Sequence, residues 1–255
     1  MRRRLPWLLV LGVLSVPAAA GQRLEGRLHW ARVVELSVPV SGVVAEVPVR
    51  PGQRVARGGV LLRLDQRGFR AAREAARARL AGREADLEEA RRERDRALEL
   101  YERTVLSDHE LQLARIAHTQ AEAAAAEARA ALVRAELELE YATLRAPFDA
   151  VVLERRAEPG QTVSAALAPP VLLVVAEAGR MALHVPVASD VAAALRSRLG
   201  DGGFRVRIQD REYPARLQAL RPAAGGKGEG VVAVFVAETG DDRPWPGTPA
   251  EVILP

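Results

Sequence analysis

The chain has 255 residues, enough for one or two ordinary domains or for several small modules. It contains no cysteine, which excludes disulfides, thiolate nucleophiles, iron–sulfur clusters and cysteine zinc sites. With only 4% aromatic residues, a surface for stacking bases or sugars is not expected. The net charge is +4, but beyond residue 20 there are 34 basic residues against 33 acidic ones. So small a surplus does not indicate a nucleic-acid partner.

Residues 1–20 have the layout of a secretory signal peptide. Arg2 to Arg4 form a basic start, residues 5–16 are mostly apolar, and Ala18 to Ala20 form a small-residue cleavage site. At about 1.5 Å per helical residue the apolar run covers roughly 18 Å, too little for a bilayer core of about 30 Å. We therefore expect export to the periplasm, with the segment either cleaved or kept as an anchor at the inner membrane.

A repeated pattern occurs in two distant parts of the chain. Each copy begins with a proline that is followed, four residues later, by a pair of valines. Twelve residues after that proline comes a Pro-Gly-Gln sequence: Pro39 with Pro51–Gln53, and Pro147 with Pro159–Gln161. Proline presets φ and glycine accepts positive φ, so each Pro-Gly pair predicts a turn. We expect residues 39–65 and 144–178 to form the two halves of one pseudo-symmetric β-sandwich.

Between the two copies, residues 66–143 are predicted to be helical. They contain no proline and only two glycines, and are rich in alanine, arginine, glutamate and leucine. Two rows at seven-residue spacing predict a coiled-coil seam in the second half: Leu111, His118, Ala125, Leu132 and Leu139, and Ala114, Ala121, Ala128, Ala135 and Ala142. The rows of the first half are interrupted by Arg83 and Arg94: Leu80, Leu87 and Tyr101, and Ala76, Ala90 and Ala97.

The junction between the two predicted helices lies near Ser107. Ser107 and Glu110 have the spacing of a capping box, with Leu106 and Leu111 at the two positions of a hydrophobic staple. One helix is therefore expected to end near Val105 and the next to start at Ser107. Because the link is short, the helices are predicted to fold back as an antiparallel hairpin with its tip at residues 104–108.

Residues 179–255 have the pattern of a small β-barrel, with short strands separated by glycine and proline clusters. The predicted elements are strands at Met181–Val187, Phe204–Ile208, Glu212–Leu220, Val231–Val236 and Ala250–Leu254, and a short helix at Ser189–Arg198. Residues 21–38 are expected to add strands to this barrel.

Taken in order, these segments resemble the periplasmic adaptor subunits, or membrane fusion proteins, of resistance-nodulation-division (RND) efflux pumps. The resemblance is carried by Val40–Val44 with Pro51–Val55, by Leu64-Asp65 entering the hairpin and by Leu144–Asp149 leaving it. It implies an elongated, modular α+β protein. An α-helical coiled-coil hairpin would be inserted in a split lipoyl-like β-sandwich and followed by the barrel.

The resemblance also implies a function. Such adaptors are not enzymes; they link an inner-membrane efflux transporter to a TolC-like outer-membrane channel and self-associate into a ring of six copies. At the hairpin tip they present an arginine, a leucine and a serine implicated in channel docking, and Arg96, Leu100 and Ser107 have the matching spacing. Each also has a structural interpretation: Arg96 as a solvated charge, Leu100 as a packing residue and Ser107 as a helix cap.

Two alternatives remain. The partner could be an ATP-driven exporter, as in type I secretion. A lipoate or biotin carrier is opposed by the export signal and by the absence of lysine between the sandwich halves, since the chain's single lysine is Lys227. No cofactor is predicted, and the few residues before Pro39 and after the last barrel strand predict no membrane-proximal domain, so we expect the barrel to contact the transporter.

Catalytic and metal sites are not predicted either. Ser107, Asp108 and His109 are adjacent at a helix start, where their side chains diverge and cannot form a nucleophile–base–orienter chain. The four histidines lack the paired spacing of metal ligands.

Overall fold

The computed structural model describes residues 23–165, 169–223, 230–242 and 244–254. The predicted signal segment and Lys227 lie outside these residues. The chain divides into two compact units, one made by residues up to Ala31 together with Gly179 and beyond, the other by Arg32–Ala178. Within the described ranges, no helix combines the length and the apolar character needed to cross a membrane.

The elements of the described chain are, in order, β1 (Arg23–Trp30), β2 (Val33–Leu36), β3 (Gly42–Glu46), β4 (Arg54–Val55), β5 (Val60–Leu64), α1 (Arg67–Glu102), α2 (Asp108–Tyr141), β6 (Thr143–Arg145), β7 (Ala150–Arg155), β8 (Thr162–Val163), β9 (Leu173–Glu177), β10 (Arg180–Val187), α3 (Ser189–Arg196), β11 (Phe204–Ile208), β12 (Arg211–Pro222), β13 (Val231–Glu238) and β14 (Pro249–Ile253). The strands and the short helix predicted beyond residue 180 are confirmed within a few residues.

The unit Arg32–Ala178 contains a sandwich of two four-stranded sheets, in the strand orders β2-β9-β7-β4 and β6-β5-β3-β8. In the sequence repeat, β3, β4 and β5 correspond to β7, β8 and β9. Exchanging the two halves therefore converts one strand order into the other. The predicted pseudo-symmetric sandwich is present. In each sheet the two central strands come from one half and the two outer strands from the other half.

The two Pro-Gly turns are bonded across the halves in the same way. The Gly52 amide donates to the Val152 carbonyl at 2.7 Å, and the Gly160 amide donates to the Val44 carbonyl at 2.8 Å. Both glycines have the positive φ that the turn requires, 81° and 87°. Each half thus supplies the hydrogen-bond partner of the other half's turn, and neither half is complete alone.

Residues 21–38 are divided between the two units, which corrects one prediction. Strand β1 pairs with β10 and β14 in the barrel, as expected. Strand β2 instead pairs with β9 in the sandwich, where Val34 and Leu36 pack against the core. The prediction is wrong for β2 because alternating valine and leucine identify a strand but do not say which sheet it joins.

The other unit is a closed barrel of six strands, in the order β1-β10-β13-β12-β11-β14. Its core is built from the inward side of each strand, with Phe204 and Phe235 in edge-to-face contact at 5.1 Å between ring centroids. Helix α3 adds Ala192 and Leu195 to the same core.

Helix α1 begins directly after sandwich strand β5, and its start is fixed by Asp65. The carboxylate of Asp65 accepts a hydrogen bond from the Arg67 amide at 3.0 Å and forms an ion pair with the Arg67 guanidinium at 2.6 Å. These bonds, the side-chain bond first, lower the pKa of Asp65 from 3.8 to about 2. The carboxylate therefore favours the folded state as long as it is charged.

Replacement of Asp65 by asparagine is expected to destabilise the chain in a pH-dependent way. Because the pKa of Asp65 is lowered on folding, its contribution is complete above pH 4 and is lost as the pH falls through 4 toward 2. Urea unfolding followed by circular dichroism should show a stability difference between wild type and Asp65→Asn at pH 7. That difference should shrink at pH 2.5, and a pH-independent difference would contradict the assignment.

Candidate partner-binding site at the hairpin tip

Helices α1 and α2 pack against each other in opposite directions. The Arg129 guanidinium donates to the Glu84 carboxylate at 2.7 Å, and Arg94 contacts the His118 ring at 3.3 Å, so later residues of α1 meet earlier residues of α2. All ten residues predicted for the α2 seam are buried or half-buried. In α1 the predicted seam residue Tyr101 is instead 40% exposed. Supercoiling of this helix pair remains a prediction.

The tip that joins the helices consists of residues 103–107. The Thr104 amide donates to the Tyr101 carbonyl at 2.9 Å, and the Val105 amide donates to the Leu100 carbonyl at 3.0 Å. Thr104 has a φ of 61°, the left-handed conformation that commonly ends a helix. These bonds and the conformation of Thr104 reverse the chain direction within residues 103–107, close to the predicted tip at residues 104–108.

Ser107 caps α2, as predicted. Its hydroxyl accepts from the Glu110 amide at 3.3 Å, while the Glu110 carboxylate accepts from the Ser107 amide at 3.0 Å and from the Ser107 hydroxyl at 2.6 Å. The bonds from Ser107 lower the pKa of Glu110. The capping box fixes the backbone of the tip, and the Ser107 hydroxyl is already engaged within the chain.

Arg96 and Leu100 lie on the last two turns of α1, where each has a different neighbour. Arg96 is exposed, and its guanidinium pairs with the Glu93 carboxylate at 2.6 Å. Leu100 is half-buried, and its carbonyl is bonded to the tip. The structure thus places the three predicted residues within about two helical turns of the tip. Each of them makes its own local contact, and they do not contact one another through a recorded hydrogen bond or ion pair.

The sequence profile of the CzcB-like, barrel-sandwich hybrid domain matches residues 32–176, more than half of the chain. The chain belongs to this family. The matched residues coincide closely with the unit Arg32–Ala178. The resemblance to the periplasmic adaptor proteins of efflux pumps is thereby confirmed.

Similar proteins include the multidrug resistance protein MdtA of Cronobacter turicensis, which is 24% identical over 192 residues, 75% of this chain. The chain spans less than half of that relative, 46% of its length. The membrane fusion protein Spr0693 of Streptococcus pneumoniae has the same fold, with a TM-score of 0.65 and 16% identity over 91% of this chain and 97% of that one. A MacA–MexA chimera containing the Pseudomonas aeruginosa MexA α-hairpin domain has a TM-score of 0.61 and 21% identity over 91% and 80%.

Apolar side chains around the tip of this CzcB-like protein were not recognised as a group from the sequence. Val105 is 70% exposed, and Leu98, Tyr101 and Leu113 are exposed on the two helices beside it. The sequence contained a signal for this, because Val105 is an apolar residue in a predicted turn and belongs neither to a helix seam nor to the predicted hydrophobic staple. Together with the half-buried Leu100, these exposed side chains give the tip an apolar surface on an otherwise charged helix pair.

His29 and His184 form a second grouping that the sequence did not predict. Their rings stack at 4.3 Å between centroids on the outside of the barrel. Burial lowers the pKa of His184, and the positive charges of His29 and Arg221 lower it further. Among the described residues, no group of three or more histidine, aspartate or glutamate side chains could hold a metal ion.

Proposed function

We propose that the chain is the periplasmic adaptor of a tripartite efflux system. It would link an inner-membrane RND transporter to a TolC-like outer-membrane channel for the export of small molecules. The observation that carries the proposal is the antiparallel pair of 36- and 34-residue helices, which starts and ends in the sandwich and has an apolar tip. A helix of this length extends about 50 Å, so the tip can meet a partner far from the sandwich.

The mechanism of such an adaptor is geometric. The split sandwich, lipoyl-like in this proposal, anchors both ends of the coiled-coil hairpin, so that the tip is held at a fixed distance. Copies of the chain assemble into a ring of six around a conduit, and the barrel contacts the transporter. The names of the relatives support this role, since they are a multidrug resistance protein and a membrane fusion protein.

The hairpin tip is the proposed channel-docking site, with Arg96, Leu100 and Ser107 as its partner-binding residues. Leu100 and the exposed Val105 supply apolar contact area, and Arg96 supplies a charge. Because the Ser107 hydroxyl caps α2, its contribution is to fix the shape of the tip. An interface core of apolar contacts beside a charged rim is typical of specific protein–protein contacts.

Replacement of Arg96 or Leu100 by alanine is expected to reduce docking to the channel roughly tenfold, the effect of losing about 1.4 kcal/mol of binding free energy. Both residues lie on α1, outside the sandwich, so the substitutions should preserve the fold. The measurement is in vivo crosslinking between the tip and the channel, together with drug resistance of the host. Arg92→Ala, an exposed arginine one turn further from the tip that pairs with Glu89, is the matched control. Unchanged crosslinking and resistance in both variants would refute the tip assignment.

The alternative inner-membrane partner is an ATP-driven exporter. The two versions of the proposal share the hairpin and the channel and differ in the transporter. Crosslinking the exported chain in membranes and sequencing the co-purified transporter distinguishes them: nucleotide-binding motifs identify the ATP-driven partner, and a polytopic pump without them identifies the proton-driven one.

A further inference from the structure

We propose that the stacked rings of His29 and His184, here called the histidine pair, make the closure of the barrel by β1 sensitive to acid. When both rings are neutral they hold β1 against β10, and protonation weakens the pairing of these two strands. The biological use of such a response rests on the proposed function, because a periplasmic adaptor meets the acidity of the medium around the cell.

The histidine pair joins β1 to β10 on the outer surface of the barrel. In the register of these strands His184 lies opposite Arg27, and His29 is its diagonal neighbour two residues further along β1. The ring centroids are 4.3 Å apart, and the ring planes differ by 27°. Neutral aromatic rings attract one another at this distance, and diagonal pairs of this kind stabilise a sheet. Two imidazolium ions at the same distance would repel one another.

The cations around the histidine pair add to this repulsion. Arg27 lies directly opposite His184 on β1, and the residue paired with His184 on β13 is the apolar Val234. Burial lowers the pKa of His184, and the positive charges of His29 and of Arg221 on β12 lower it further. A proton taken up by His184 is therefore placed among positive charges.

The acidic groups nearby do not compensate this charge. Glu25 of β1 and Glu251 of β14 line the same open groove as the histidine pair. Glu251 lies 3.8 Å from the Arg23 guanidinium, and Arg207 of β11, which also lines the groove, pairs with Glu212 at 2.6 Å. Within the part of the chain that the structure describes, neither histidine forms a hydrogen bond or an ion pair with a carboxylate.

The strand pairing that the histidine pair supports is short. Strands β1 and β10 are matched over four residue pairs, from Arg27 to Trp30 on β1, whereas β10 and β13 are matched over eight. The two backbones also approach closely here, since a Cβ atom at Gly26 would lie 2.3 Å from the His184 carbonyl oxygen. Proteins open locally where few contacts hold an element. A change at one side-chain pair therefore affects a large part of the contact between β1 and β10.

The direction of the pH effect follows from the lowered pKa of His184. A base whose pKa falls on folding binds fewer protons in the folded barrel than in the unfolded chain. Its neutral form therefore stabilises the barrel fully above the ordinary pKa of 6.5, and this contribution is lost as the pH falls below that value. Strand β1 should thus be held firmly in neutral solution and more weakly in acid.

The first experiment compares the thermal midpoint of the full chain with that of His184→Gln, each at pH 7.5 and at pH 5.0 with EDTA present. Tryptophan fluorescence follows the barrel, because Trp30 lies on β1 and packs against the barrel core. The wild-type midpoint is expected to be about 5 °C lower at pH 5.0 than at pH 7.5. In His184→Gln this difference should shrink to less than about half, because glutamine is polar but does not titrate.

The second experiment locates the effect within the barrel. Hydrogen exchange is followed by mass spectrometry and corrected for the intrinsic effect of pH on amide exchange. In wild type, the protection of the β1 amides should fall between pH 7.5 and pH 5.0 by about tenfold more than that of the β12 amides, the change that corresponds to one pKa unit. In His184→Gln the two strands should change together. An equal loss of protection in β1 and β12 of wild type would contradict a local effect.

Two further variants serve as controls. His109→Gln is the matched control, because His109 lies at the start of α2, outside the barrel, and it should keep the wild-type response to pH. His29→Gln provides a second test if His184→Gln does not fold, because His29 is exposed and its replacement leaves the core intact. This variant should also show a reduced response. A response of wild-type size in His184→Gln or His29→Gln would overturn the inference, as would a response that disappears when EDTA is added, since a bound metal ion would then be its cause.

This outcome is separable from that of the proposed function, because both readouts depend on the barrel alone. An acid response in a chain whose tip crosslinks to no channel would support the role of the histidine pair and refute the adaptor role. Channel crosslinking by a chain without the acid response would do the reverse.

Discussion

Replacement of Phe235 by alanine is expected to lower the free energy of unfolding of the barrel by about 3–5 kcal/mol. Phe235 is completely buried on β13, and its ring is in edge-to-face contact with the ring of Phe204 from β11. Truncation removes the buried apolar surface of the ring and this aromatic contact. It also leaves a cavity that a closed barrel cannot collapse to fill. Since whole domains are stable by only about 5–15 kcal/mol, the substitution should remove a large fraction of the barrel's stability.

Tryptophan fluorescence reports this change selectively. Beyond the predicted signal segment, the two tryptophans of the chain, Trp30 and Trp245, both belong to the barrel unit. The fluorescence midpoint in urea should fall sharply in Phe235→Ala, while the helical circular dichroism of α1 and α2 should persist. Phe148→Ala is the matched control, because Phe148 is half-buried in the other unit with the Arg32 guanidinium 4.8 Å above its ring. An unchanged fluorescence midpoint in Phe235→Ala would contradict the barrel core described here.

Replacement of Gly26 by alanine is expected to have a similarly large effect, about 3 kcal/mol, at the upper end of the cost of overpacking. A Cβ atom at Gly26 would lie 2.3 Å from the carbonyl oxygen of His184 and 2.9 Å from a methyl group of Val185. The nearest obstacle is backbone, so β1 and β10 would have to separate. Gly26 is thus a point of close approach at which the barrel is closed by β1.

Gly68→Ala is the matched control for this prediction. Gly68 lies at the start of α1, where an added Cβ meets nothing within 4 Å. Alanine is the better helix former, so this variant should be unchanged or more stable by up to about 1 kcal/mol. Urea unfolding followed by fluorescence and circular dichroism should show the loss only for Gly26→Ala. A midpoint for Gly26→Ala equal to that of wild type would show that the strands tolerate a side chain there.

The features that were predictable from the sequence are those encoded by local patterns. Ser107 with Glu110 predicted the start of α2, the alanine and leucine rows predicted which side of α2 is covered, and the Pro-Gly pairs predicted both sandwich turns. In each case the deciding contacts join residues within one helix turn, one heptad or one β-turn. At the candidate site, the same reasoning identified the capping role of Ser107.

The features that were missed depend on contacts between distant residues. The sheet to which β2 belongs is decided by its pairing with β9, far along the chain. The stacking of His29 on His184 arises from the register of β1 against β10, which no local pattern records. Tyr101 continues a seven-residue row, yet it is exposed because the seam ends where α1 turns into the tip.

The presence of strands from both repeat halves in each sheet has a consequence for how the chain folds during synthesis. In a nascent first half only β3 and β5 can pair with each other, while β2 and β4 lack strand partners until the ribosome has made β9 and β7. Joining the halves through a disordered connection costs closure entropy that grows with its length. The helix pair removes much of this cost, because its contacts are local and its zipping brings β5 and β6 together before the sheets form. Equal lengthening or shortening of both helices should therefore leave the sandwich able to assemble, and evolution can change the reach of the adaptor without redesigning its base.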